Sequence, residues 1–122
     1  MARDYLLDLV RPRVAPADKR WVDGIETRDG IALPFLVERA WAGPAGNYIE
    51  QWSLRRDVND VLYRSDERYV SVRGMQSVTE YIDRVDEAIR LETGSYLLVF
   101  VVEGLFMGST EIEVKAAGHA AA

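Results

Sequence analysis

The sequence contains no cysteine and a single histidine, His119, in an alanine-rich tail. Without thiols there is no disulfide framework, no thiolate metal site and no cysteine nucleophile. One tail histidine builds neither a histidine-cluster metal centre nor a Ser-His-Asp arrangement. No apolar run reaches the ~18 residues of a membrane span. Lysine is scarce, with two residues against thirteen arginines, a bias read as GC-rich coding more than as function. No basic stripe is present, so neither nucleic-acid binding nor a polybasic membrane anchor has electrostatic support. Residues 1–10 are too short and too acidic for a signal peptide. With the missing cysteine, this predicts a cytoplasmic protein.

What is present is enough for one core. The chain has 122 residues, 48% hydrophobic and 29% charged, and a chain of this size buries about two thirds of its surface on folding. The net charge of −5 is concentrated in the C-terminal third. Pro12, Pro16, Gly24 and Gly30 interrupt any long element near the start. The expected organisation is an irregular N-terminal arm over 1–30, a β domain over 31–115 and a disordered tail over 116–122.

From residue 31 the apolar residues alternate. Ile31, Leu33, Phe35, Val37 and Trp41 share one parity, broken by Arg39, which is the period-two signature of a half-buried strand. Pro34 predicts an edge or a bulge there. Residues 43–47 read as a turn, and Tyr48, Trp52 and Leu54 then share a parity with Glu50. Residues 57–60 read as the next turn. Short strands are expected over 61–63 and 69–73. Residues 96–102 form the strongest strand signal. Glu103-Gly104 supplies a two-residue hairpin turn, and a return strand carries Phe106, Gly108, Thr110, Ile112 and Val114 on one face. Over 77–91 the signals conflict. Val78, Ile82, Val85 and Ile89 step as a helix face, with Ser77 and Glu80 placed for a capping box, yet the end of the segment runs toward a strand.

Leu91, Gly94 and Tyr96, followed by the apolar strand, the acidic-glycine turn and the final strand, resemble the C-terminal half of bacterial immunoglobulin-like and fibronectin type III-like sandwich domains. The resemblance implies a mainly β antiparallel sandwich of about seven strands. It also implies a structural corner in which the Tyr96 hydroxyl bonds nearby backbone. The fold alternative is α+β, with a helix over 77–90 packed on the sheet. The resemblance carries no activity with it.

The chemistry-bearing residues are sparse. Glu80, Asp83, Asp86 and Glu87 form an acidic cluster that would suit a metal-dependent carboxylate enzyme, but Arg84 and Arg90 interleave it as on a solvated face. Asp57, Asn59 and Asp60 are explained by turn chemistry. Gly104 and Gly108 are followed by a strand, so no phosphate-binding helix start is formed. The serines lack a Gly-x-Ser-x-Gly elbow. No catalytic residue, metal ligand or cofactor is assigned. Trp41, Tyr48 and Trp52 are the candidates for holding a small ligand or carbohydrate. The parity of Trp41 and Trp52 places them in the core instead. Trp21, in a charged irregular stretch, is a candidate surface anchor.

The strand over 96–102 is apolar on both parities, with Tyr96, Leu98, Phe100 and Val102 on one and Leu97, Val99 and Val101 on the other. A two-layer sandwich needs one apolar face, so something must cover the second. The candidates are residues 77–86 as a helix, the first 30 residues, or another chain. The function expected is therefore a non-enzymatic interaction module, an accessory or structural subunit with another protein chain as partner. Its anchors would be Trp21, Leu97, Val99 and Val101. A small-ligand-binding sandwich is the alternative, and no nucleic acid or membrane span is expected.

Overall fold

The computed structural model describes residues 7–74 and 76–118. Among them the chain is all β, with ten strands and no helix. The strands are β1 (Asp8–Pro16), β2 (Ile25–Arg28), β3 (Ile31–Ala32), β4 (Phe35–Ala42), β5 (Gly46–Asp57), β6 (Asp60–Arg64), β7 (Arg68–Val72), β8 (Thr79–Val85), β9 (Gly94–Val102) and β10 (Leu105–Ala116). A small sheet runs β1-β4-β8. A larger sheet runs β3-β2-β10-β9-β5-β6, with β7 also paired to β5.

The mainly β expectation holds at the level of class, but the seven-strand immunoglobulin-like sandwich is corrected. Ten strands divide three and seven, the larger sheet curls into a half-barrel, and β2 joins β10 in parallel, with Ile25 opposite Val114. The helix over 77–90 is also corrected. Residues 79–85 are β8, paired along its whole length with β4 from Thr79 opposite Trp41 to Val85 opposite Phe35. Of the supposed helix stripe, Val85 and Ile89 are buried while Val78 and Ile82 stand exposed. Pairing with β4 overrode a local 3.6 period carried by strand-forming residues.

The irregular N-terminal arm is corrected as well, because β1 is a strand of the small sheet. Its prolines fit an edge strand. The pairing register slips between Val10 and Arg13, where Arg11 takes a φ of 48°, so Pro12 sits inside a bulge. Pro16 ends the strand. Residues 119–122, with His119 and most of the expected tail, lie outside the described residues.

Pro34 marks neither an edge nor a bulge but a crossing between sheets. Before it β3 pairs with β2 in the large sheet, and after it β4 lies in the small one. β6 and β7 form one return path along β5, interrupted at 65–67. Arg64 stands opposite Ser53 and Arg68 opposite Glu50. In the gap the Ser65 hydroxyl accepts the Trp52 N–H at 3.0 Å and the Ser65 N–H donates to the Trp52 carbonyl at 2.9 Å. The Glu103-Gly104 turn has φ values of 51° and 78°, the pair of positive angles that a type I′ hairpin requires.

The core lies between the sheets. Phe35, Val37 and Trp41 of β4 face Tyr48, Trp52 and Leu54 of β5 and Tyr96, Leu98, Phe100 and Val102 of β9. Trp41 meets Phe100 edge-on with ring centres 6.1 Å apart, a favoured aromatic geometry. At the corner, Leu91 is buried and the Tyr96 hydroxyl donates to the Glu92 carbonyl at 2.6 Å. Gly94 has a φ of 140°.

Candidate functional site

Two features stand apart from an ordinary apolar sandwich. The first is a charged centre inside the core. Arg39 of β4 and Glu50 of β5 are both fully buried. They form a bidentate pair, in which Arg39 Nε donates to Glu50 Oε2 at 2.9 Å and Nη2 donates to Oε1. Trp41 Nε1 donates to the same Oε2 at 2.8 Å, and Arg39 Nη1 reaches the Val37 carbonyl at 3.3 Å. Asp83 of β8 completes the centre. Its Oδ2 accepts Trp52 Nε1 at 2.8 Å and lies 3.2 Å from Arg39 Nη2, while Arg68 Nη1 holds Oδ1. The centre ties Arg39, Trp41 and Asp83 of the small sheet to Glu50, Trp52 and Arg68 of the large one. Among the described residues no buried side-chain nitrogen or oxygen lacks a partner.

Burial alone would push the Asp83 carboxyl up. The Trp52 hydrogen bond, then Arg39 and Arg68, outweigh burial and hold it below the usual carboxylate range. Arg39 is pulled down by burial and raised further by Glu50 and Asp83, so its pKa lies above the ordinary value. These groups stay ionised and engaged at neutral pH. Beside them a groove of about 540 Å³ opens between β8 and the break in the β6–β7 path, lined by Trp52, Tyr63, Asp66, Arg68, Asp83 and Glu87. Burial and a hydrogen bond to Glu87 raise the Tyr63 hydroxyl above its usual value.

The acidic cluster read from the sequence is dispersed by strand geometry. Asp83 points inward, and Glu80 points outward with Arg11 at 3.7 Å. Asp86 pairs with Arg84 at 2.9 Å. Among the described residues no three carboxylates or histidines converge as metal ligands. Trp41, Tyr48 and Trp52, the candidate ligand platform, are all buried. Both indole N–H groups belong to the charged centre, and Trp52 also lines the groove beside it. Sequence reasoning missed that centre, although the signal was present. Arg39 and Glu50 each break an otherwise apolar inward parity, on strands consecutive in the chain that lie in facing sheets.

The second feature is the outer face of the large sheet. Its β9 row is Leu97, Val99 and Val101. Leu97 stands between Arg55 on β5 and Glu111 on β10, Val99 between Ser53 and Ser109, and Val101 between Gln51 and Phe106. Leu97 and Val101 are partly buried by these neighbours, and Val99 is 8% exposed. Phe106 is 66% exposed, and Tyr69, opposite the partly buried Ile49, is 71% exposed. Among the described residues, the strands of the two expected intrachain covers lie elsewhere. Residues 79–85 and β1 belong to the small sheet, and β2 extends the large sheet in its own plane. Trp21 is 81% exposed but does not join this face. It lies in the connection after β1, where Arg13 Nη2 donates to the Arg20 carbonyl at 2.7 Å and Arg20 reaches Glu38 at 3.2 Å.

No family model matches the chain, and no curated protein matches it. Solved structures do. A segment of the alkylpurine DNA glycosylase AlkC of Pseudomonas fluorescens, bound to DNA containing an abasic site analogue, matches at 12% identity and a TM-score of 0.54. The match covers 91% of this chain and 31% of that one. The β-glucosidase of Listeria innocua in complex with glucose matches at 15% identity and a TM-score of 0.56, over 91% of this chain and 16% of that one. The chain thus spans about a third or less of the structures it resembles, and at these identities the likeness shows the fold alone. The solved structures that share the fold include a DNA glycosylase and a β-glucosidase, and no family model stands behind the immunoglobulin-like and fibronectin type III-like resemblance. That resemblance is withdrawn.

Proposed function

We propose that this chain is a non-enzymatic protein-interaction module, an accessory or structural subunit that docks through the outer face of its large sheet. The observation that carries the reading is the apolar row Leu97, Val99 and Val101. It continues into the exposed Phe106 on one side and, past Gln51, toward Ile49 and the exposed Tyr69 on the other. On this face Phe106 and Tyr69 stand exposed, Leu97 and Val101 are partly exposed and Val99 is covered by its neighbours; apolar side chains left exposed together on one face mark interaction sites. The charged groups inside the core support the same reading by their geometry. Each oxygen of Asp83 and Glu50 is already held by an internal donor, an arrangement that suits a structural lock better than proton transfer.

The test is site-specific photocrosslinking in the source cells. A photoreactive phenylalanine analogue at position 106 should give one adduct of discrete mass, while the same analogue at position 86, past the end of β8, should give none. Equal labelling from both positions, or no adduct from 106, would sink the reading.

A further inference from the structure

We propose that the partner seated on this face is a second copy of the chain, related by a two-fold axis that lies between the two faces and runs parallel to β9. The proposal rests on the docking reading above and names its occupant. The argument is the charge pattern across the face. In the row through Leu97, Arg55 stands on the β5 flank and Glu111 on the β10 flank, each one strand away. Arg55 donates to the Ser53 hydroxyl and the Val58 carbonyl, both at 2.8 Å, and makes no ion pair among the described residues. Glu111 likewise makes none and is exposed. The charged side chains flanking the central apolar row are therefore opposite in sign and unneutralised among the described residues.

A two-fold axis parallel to β9 exchanges the flanks and leaves each row at its own height. Arg55 of one copy then meets Glu111 of the other, and the pair forms twice. In the next row Val99 and Ser53 are already covered within the chain, with Arg55 bonded to the Ser53 hydroxyl, so the contact between copies falls on the partly exposed Leu97 and Val101 rows on either side. In the third row Phe106 lies over Gln51 of the other copy. An axis at right angles to the strands would instead set each flank against its own copy, so that neither Arg55 nor Glu111 would meet an opposite charge. Aligned sheets pack at about 30°, a twist this axis tolerates. Four strands at ~4.8 Å spacing and ~3.3 Å per residue give roughly 600 Å² for nine residues of strand. That is the low end for a specific interface, so the dimer is expected to be reversible.

The experiment is light scattering after size exclusion, over loading concentrations up to about 1 mM, on four samples of folded protein checked by circular dichroism. Wild type should approach twice the chain mass of 13.8 kDa as concentration rises. Arg55→Glu alone and Glu111→Arg alone should each weaken association by roughly tenfold or more, because each sets like charges opposite one another twice. An equimolar mixture of the two single variants should dimerise again, since each then meets its opposite. Neither residue is buried in the core, so a loss of mass cannot be assigned to unfolding. Wild type that stays monomeric at about 1 mM, or single variants that dimerise as wild type does, would overturn the proposal. A monomer that still gives a discrete heterologous adduct from position 106 would overturn the second copy while leaving the docking face standing. Absence of any adduct from 106 would remove both.

Discussion

Replacing Arg39 with methionine keeps most of the side-chain volume and removes the cation from the core. Glu50, fully buried, would then keep only the Trp41 indole as a donor. Breaking a buried pair this way costs about 3–5 kcal/mol, because the remaining charge is uncompensated. A domain of this length is stable by roughly 6–18 kcal/mol, so the loss is a large fraction of the total. The melting temperature should fall by roughly 10–20 °C. Removing both partners should cost less. In Arg39→Met/Glu50→Leu the Trp41 N–H loses its acceptor, worth about 1–3 kcal/mol, while Asp83 keeps Trp52 and Arg68. The double variant should therefore be more stable than Arg39→Met alone. Urea unfolding followed by far-ultraviolet circular dichroism and by fluorescence of the buried tryptophans measures both, with an unchanged m-value as the check that unfolded-state compactness is unaltered. A single variant costing less than about 1 kcal/mol, or a double variant less stable than the single, would refute the reasoning.

Asp83 titrates below the usual carboxylate range in the folded chain, since the Trp52, Arg39 and Arg68 contacts outweigh its burial. Its contribution is therefore present in full above the unfolded pKa and is lost as pH falls through the lower folded one. Asp83→Asn should be less stable than wild type at neutral pH, and the gap should close between about pH 5 and pH 2; a gap constant with pH in urea titrations would contradict this. Gly24 has a φ of 105°, and a Cβ there would lie 2.5 Å from the Glu113 carbonyl oxygen. Backbone cannot yield as a flexible side chain would, so Gly24→Ala should lower stability by about 1–3 kcal/mol, read as a lower urea midpoint; an unchanged midpoint would refute the close approach.

The β9–β10 hairpin was legible in its strands and turn, though not in the facing of Phe106. The apolar run of 96–102 was unbroken, the turn was two residues long, and Glu103-Gly104 suits the positive angles it needs; the bulge between Phe106 and Gly108, which turns Phe106 away from the Ile112 and Val114 face to stand beside Val101, left no such signal. The β5–β6 turn was legible from its own residues, and the Asn59 N–H there donates to Asp57 Oδ1 at 2.9 Å. The N-terminal strands were hidden because their pairing is non-local. β2 joins β10 some ninety residues downstream, and β1 hides its prolines in a bulge and at its end. The charged centre was hidden by a habit of reading. Arg39 looked like noise in an apolar parity and Glu50 like a neighbour of apolar residues, although a charge on an inward parity must find a counter-charge or unfold the sheet. Three strands, β4, β5 and β8, each bring one charged residue inward to the same place.

The outer face gains meaning from how the edges are treated. An exposed edge strand invites pairing, and proteins blunt edges with charge, proline, bulges or brevity. Here β1 carries Pro12 in its bulge, and β8 alternates Glu80, Asp83 and Arg84 with its other residues. β3 is two residues long, and the β6–β7 path is broken at 65–67 between Arg64 and Arg68. Each edge is defended while the apolar row of β9, in the middle of its sheet, is not. Its inward parity is packed against Trp41 and the rest of the core, and β5 and β10 hold it on either side. The row is thus ordered before any partner arrives, and association would not have to supply that ordering. Edge-to-edge addition and face-to-face docking are therefore unequal alternatives, and the distribution of charge and proline favours the face.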